Sequence, residues 1–150
     1  MNIVVDTNIV FSAVLNSTGK IGDLLMNSDG VFHFFACDFL KEELDENHEK
    51  LKRISDLNDS EIEASKARIF SKITFINTLI VPVDIILEAE ALVADVDPDD
   101  TEHVALNLHL QGFLWSGDKK LRQGLKQKGT SWILNTDELL ELRHSLEEQT

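Results

Sequence analysis

Two aspartates directly follow short apolar runs. Asp6 comes after Ile3-Val4-Val5, and Asp118 comes after Phe113-Leu114-Trp115 with only Ser116-Gly117 between. In an open parallel sheet, the crevice beyond the carboxyl ends of the strands is where ligands bind, so both positions can carry chemistry. Asp100 falls in the first turn of a helix whose Val104 and Leu108 share its face at i+4 and i+8, which points it towards the sheet. Glu43 lies four residues after Phe39 and so shares a stripe with an apolar side chain; Glu42 beside it competes for the same role. Clustered hard oxygen donors without a neutralising base suit Mg²⁺ or Mn²⁺, which keep several waters when bound. The bland alternative is real: among 27 acids some reach strand ends by chance, Asp100 can serve a helix dipole, and Glu43 can be a solvated glutamate.

Such carboxylates need strands and helices to position them. Ile3-Val4-Val5 predicts a buried strand, and Ile9, Val10, Ala13 and Val14 recur at helical spacing up to Asn16. Ile21 to Met26 adds a turn or two of helix, and Val31 to Ala36 reads as a second strand. Asp38 is placed to cap a helix to about Ile54, and Ser60 with Glu63 predicts a capping box for a helix through Ile62, Ile69 and Phe70. Leu79-Ile80-Val81-Pro82-Val83 predicts a third strand, its proline marking an end or an edge. A helix from Ile85 to Ala94 follows, then turn chemistry at Asp97-Pro98-Asp99-Asp100 and a helix to about Gln111 that Gly112 stops. Phe113 to Ser116 is the fourth strand, a basic helix runs to Gly129, Trp132-Ile133-Leu134 is the fifth strand, and Asn135 with Glu138 caps the last helix. This alternation predicts an α/β fold: one domain over residues 1–150, a central, mainly parallel five-stranded sheet and helices on both faces.

Composition narrows the classes. The 150 residues carry 14 basic and 27 acidic side chains, a formal charge of −13, with 43% hydrophobic residues. That is a globular composition, and the acidic balance argues against holding DNA by broad charge neutralisation. Five basic residues nevertheless gather at Lys119, Lys120, Arg122, Lys126 and Lys128, a stretch able to meet phosphate. The single Cys37 excludes an internal disulfide and a cysteine-based zinc cluster, and fits a reducing cytoplasm. No Lys or Arg precedes Lys20, so the N-terminus is a poor signal peptide, and no apolar run is long enough for a membrane.

Four pieces of sequence in order resemble the PIN-domain family: Met1-Asn2-Ile3-Val4-Val5-Asp6-Thr7-Asn8-Ile9, Glu43-Leu44, Asp97-Pro98-Asp99-Asp100-Thr101-Glu102-His103-Val104-Ala105-Leu106, and Ser116-Gly117-Asp118-Lys119-Lys120-Leu121. The resemblance spans essentially the whole chain. It implies an acidic site at Asp6, Glu43, Asp100 and Asp118, with Asn8 and Ser116 as polar helpers and Asp97 as a further acid. It implies a metal-dependent endoribonuclease of the toxin type, with an RNA substrate, an antitoxin protein as partner and a homodimeric assembly. Lys119, Lys120 and Arg122 would then hold the phosphates flanking the cut, and Ile62, Ile69 and Phe70 offer contacts for a second copy. Asn107 and His109 make their helix more polar than the family leads one to expect.

Other features read structurally. His103 and His109 are six apart, off the spacing of a two-histidine zinc face, and read as partly exposed helix residues. His33 reads as a strand-face residue, Cys37 as a buried small apolar group, and Phe32, Phe34 and Phe35 as core. No phosphate-binding Gly-rich loop and no nucleophile elbow is present. Among rivals, a dehalogenase-type phosphatase wants an acid where Asn8 stands, and a receiver-type domain wants paired acids where only Asp6 stands. A non-catalytic PIN-fold binding module has no reason to keep four mutually repelling carboxylates.

Overall fold

The computed structural model describes residues 1–149. Ile3, Val4 and Val5 are all fully buried in β1 (Asn2–Val5). The two-residue period of a strand sends Ile3 and Val5 to one face and Val4 to the other, and two separate cores grow from this alternation. Ile3, Val5 and Trp115 meet α1 (Thr7–Leu15), α2 (Lys20–Met26), α3 (Phe39–Glu46), α4 (His48–Ser55), α5 (Asp59–Phe70) and α9 (Thr136–Glu148). Val4, Cys37 and Leu114 meet α6 (Val83–Val93), α7 (Thr101–Leu110) and α8 (Lys119–Gln127).

The sheet order is β3-β2-β1-β4-β5, with β2 at His33–Cys37, β3 at Ile73–Ile76, β4 at Phe113–Trp115 and β5 at Ile133–Leu134. Every pairing is parallel. The chain builds outward from β1 through β2 to β3, then returns to the other side of β1 for β4. The reversal leaves a crevice beyond the ends of β1 and β4, and Asp6 and Asp118 follow those two strands. Gly112 matters for this register, because a Cβ there would lie 2.2 Å from the Asn2 carbonyl oxygen. The helix stop is instead Gln111, which takes the left-handed conformation (φ 53°) at the end of α7.

The α/β class and the five-stranded parallel sheet agree with the sequence reading; several boundaries do not. The third strand is Ile73–Ile76, not Leu79–Val83. Asn77 accepts a hydrogen bond from the Leu79 amide and opens a 3₁₀ turn (Thr78–Ile80), after which Pro82 starts α6. The apolar run that resembles a strand is left largely in solvent, with Leu79 89% and Val83 72% exposed. The helix expected from Asp38 to Ile54 is two, broken at Asn47, whose amide donates to the Glu43 carbonyl at 2.7 Å. Asp38 makes no side-chain cap there. The capping box of α5 is Asn58 with Glu61, two residues before the expected Ser60 and Glu63; Glu63 pairs with Lys66 instead. The expected box at Asn135 and Glu138 is present. Ile62 and Ile69 are fully buried within this chain, so neither is a free contact surface; Phe70 is partly exposed and packs edge-on against Phe75.

Candidate active site

Asp6 enters the crevice as the N-cap of α1, accepting a hydrogen bond from the Ile9 amide at 2.9 Å. Its other oxygen accepts from the Ser116 hydroxyl at 2.5 Å. Ser116 is fully buried at the end of β4, and its oxygen also accepts the Asp118 amide at 3.0 Å. One serine therefore ties together the two strand ends that the topology brings side by side. Asp118 caps α8 by accepting from the Leu121 amide. Burial raises the Asp6 carboxyl above the usual carboxylate range; its hydrogen bonds from Ser116, Ile9 and Gly117 oppose the rise, and the Asp118 charge adds to it.

Asp100 reaches the same place from the 3₁₀ turn Pro98–Asp100 that leads into α7. Asp97 caps that turn by accepting from the Asp99 amide. One carboxylate oxygen from each of Asp97, Asp100 and Asp118 lies within 4.8 Å of the others. Burial, then the charges of Asp97, Asp6 and Asp118, push the Asp100 carboxyl up to about 7. These three half-buried acids form a tight oxygen-donor cluster, and Asp97, a subsidiary residue in the sequence reading, is one of them.

Glu43 completes the cleft from α3. A cleft of about 510 Å³ is lined by Asp6, Asn8, Glu43, Asp97, Asp100 and Asp118, together with Thr7, Phe39, Asp99 and His103. Glu43 is half-buried and Glu42 exposed, so the geometry selects Glu43. It sits outside the tight trio, however. Burial raises its carboxyl first, the Thr7 hydroxyl opposes by hydrogen bonding to it, and Glu46 and Glu102 are the charges that add to the rise. Asn8 is exposed at the rim, whereas Ser116 works from below, through Asp6.

Two of the three basic residues expected at phosphates face a groove. Lys119 and Lys120 are exposed and line a depression of about 660 Å³ with Gln123, Gln127 and Lys128. Arg122 turns away, donating to the Ser116 carbonyl at 2.8 Å, and so helps hold the end of β4. His103, expected to be partly exposed, is only 4% exposed. Its burial pushes its pKa down to about 4, leaving a neutral ring at neutral pH. Sequence reasoning missed Thr7 and His103. The hydroxyl beside Asp6 is the available signal for Thr7; Leu106 and Leu110, at i+3 and i+7 on the same helix face, are the signal that His103 points inward.

The sequence profile of the PIN domain matches residues 4–140. The chain belongs to the PIN-domain family. The match covers β1 through the first turns of α9, and therefore every acid of the cleft. PIN domains are generally nucleases, and members typically use divalent metals. No curated protein matches the chain. No helix among the described residues is long and apolar enough to cross a membrane.

Proposed function

We propose that this PIN domain is a metal-dependent endoribonuclease. The observation that carries the reading is the Asp97–Asp100–Asp118 cluster, three carboxylates with one oxygen each held within 4.8 Å of the others at the switch point of the sheet. An all-oxygen, multiply anionic donor set fits Mg²⁺ or Mn²⁺ and not a soft metal. Asp97, Asp100 and Asp118 would hold the ion together with Glu43 from across the cleft, with Asp6 behind them. A bound divalent ion supplies charge neutralisation for the scissile phosphate and acidifies a coordinated water.

The chain's own residues supply orientation. Ser116 and the Ile9 amide fix both oxygens of Asp6, and the Leu121 amide fixes one of Asp118, so these two carboxylates are ordered before any ligand arrives. Lys119 and Lys120 would grip the phosphates beside the cut, and Gln123 and Gln127 extend that track along α8. An otherwise acidic protein would then take RNA at one basic edge.

The test is cleavage of single-stranded or structured RNA by the purified protein with Mg²⁺ or Mn²⁺, blocked by a chelator. Asp6→Asn should abolish it with an unchanged far-UV spectrum. Cleavage that survives both interventions would refute the reading.

The toxin role belongs to the same proposal, with a DNA-binding antitoxin encoded in a neighbouring short reading frame as the partner. The homodimer does too. With Ile62 and Ile69 internal, the contact falls to the exposed Leu79, Ile80, Val83 and Leu87. A monomer mass by light scattering at high micromolar concentration would exclude it.

A further inference from the structure

Behind Glu43 runs a row of polar groups that the aspartate trio does not use. Cys37, at the end of β2, is fully buried, with its Sγ 3.6 Å from Nδ1 of His103. His103, near the start of α7, has its Nε2 3.3 Å from the Thr7 Oγ1. The Thr7 hydroxyl in turn lines the same cleft as the Glu43 carboxylate and is placed to hold that carboxyl down by donating to it. Phe39 closes the side of the imidazole, the two ring centroids 5.5 Å apart. Four residues from four different elements thus form one file ending at the cleft.

The donor and acceptor inventory leaves one direction for that file. A carboxylate that ligates a cation is ionised and can only accept. Thr7 must therefore give its single proton to Glu43, and its oxygen must accept from Nε2–H of His103. With the proton on Nε2, Nδ1 of a neutral ring is an acceptor, and its partner is the Cys37 thiol, which must keep its S–H. Burial favours both requirements, holding the thiol protonated and the imidazole neutral.

We propose that His103 is a positioning residue which, through Thr7 and anchored by Cys37, fixes the Glu43 carboxylate facing the cleft. The inference rests on the reading of Glu43 as a member of a metal-binding site. Partners of this outer kind typically change metal affinity by about 10–100-fold when removed.

The direction can be read without metal or RNA. Long-range ¹H–¹⁵N NMR of the metal-free, full-length protein at neutral pH should show His103 protonated on Nε2; an Nδ1-protonated ring would overturn the file. Mn²⁺ binding, followed by the EPR signal of the free ion, supplies the second arm. Thr7→Val should weaken binding by about tenfold, and Thr7→Ser, which keeps the hydroxyl, should restore it. His103→Gln, whose amide nitrogen can occupy the place of Nε2, should bind better than His103→Leu. Thr7 lies on the partly exposed first turn of α1, so its variants stay informative if the buried His103→Leu does not fold. Equal Mn²⁺ affinity in Thr7→Val and Thr7→Ser would overturn the proposal. An Nε2–H ring in a protein that neither binds Mn²⁺ nor cuts RNA would instead sink the nuclease reading and leave the file standing.

Discussion

Replacing Asp100 by asparagine should stabilise the metal-free protein. Its carboxyl sits among Asp97, Asp6 and Asp118, and burial plus those charges raise it from 3.8 to about 7. A native-state value above the unfolded one means the folded protein holds this proton more tightly. The stability it contributes is therefore complete below about pH 4 and is lost as pH rises through about 7. A carboxyl raised that far costs the folded protein at most about 4 kcal/mol at pH 8, where it must ionise. Asp100 is only half-buried, so solvent screening reduces this to about 2 kcal/mol. At roughly 2–4 °C per kcal/mol for a domain of this size, Asp100→Asn should melt about 4–8 °C higher than the parent in chelator at pH 8. The substitution loses no cap, since the Asp100 side chain caps nothing in α7. At pH 4 the gain should vanish. Added Mn²⁺ should raise the melting temperature of the parent by binding the native state, and should shift Asp100→Asn much less. Glu90→Gln, which removes a charge from an exposed face of α6, should do neither. Differential scanning calorimetry at the two pH values, with and without Mn²⁺, makes the measurement. If Asp100→Asn melts lower in chelator at pH 8 and keeps the full Mn²⁺ shift, the aspartates do not act as one site.

Other consequences are simpler to measure. Neutralising Lys119 and Lys120 together should reduce the slope of log affinity for single-stranded RNA against log salt by about 1.4, the counterions released at two phosphates; an unchanged slope makes them solvated surface. Gly124→Ala should destabilise by about 1–3 kcal/mol in urea despite alanine's helix preference, because the new Cβ would lie 2.6 Å from a methyl of the stiff, β-branched Val96. Asn58→Ala, which removes the capping box of α5, should cost about 1 kcal/mol by the same assay. Lys66→Met should lie within about 1 kcal/mol of the parent, since its buried stem is kept and its partners Asp45 and Glu63 remain hydrated.

Where local chemistry and tertiary packing agree, the sequence is readable. The turn Asp97-Asp100 and the Asn135–Glu138 box form as their residue types dictate, because each is stabilised by contacts within a few positions; Ile3-Val4-Val5 pairs with distant strands, but its apolar run has no rival beside it. Leu79-Val83 is where they conflict. Its apolar residues satisfy a strand pattern, but Asn77 and Pro82 impose a turn and a helix start, and the shorter Ile73–Ile76 takes the place beside β2. Strand pairing is decided by a partner distant in sequence, so hydrophobicity alone cannot choose between two adjacent candidates.

The sequence by itself determined the α/β class, the strands that Asp6 and Asp118 follow, and the oxygen chemistry of the cleft, for these depend on residue type and local period. Only the tertiary structure decided which acids draw together. Asp97 joins Asp100 and Asp118 because a 3₁₀ turn curls both towards the end of β4, while Glu43 stands apart across the cleft. It also turned Arg122 inward to the Ser116 carbonyl and brought Cys37 to His103, sixty-six residues away in the chain. The Cys37–His103 contact exists only once β1, β2 and β4 are paired and α7 is laid across them, since no local preference brings those two positions within hydrogen-bond reach.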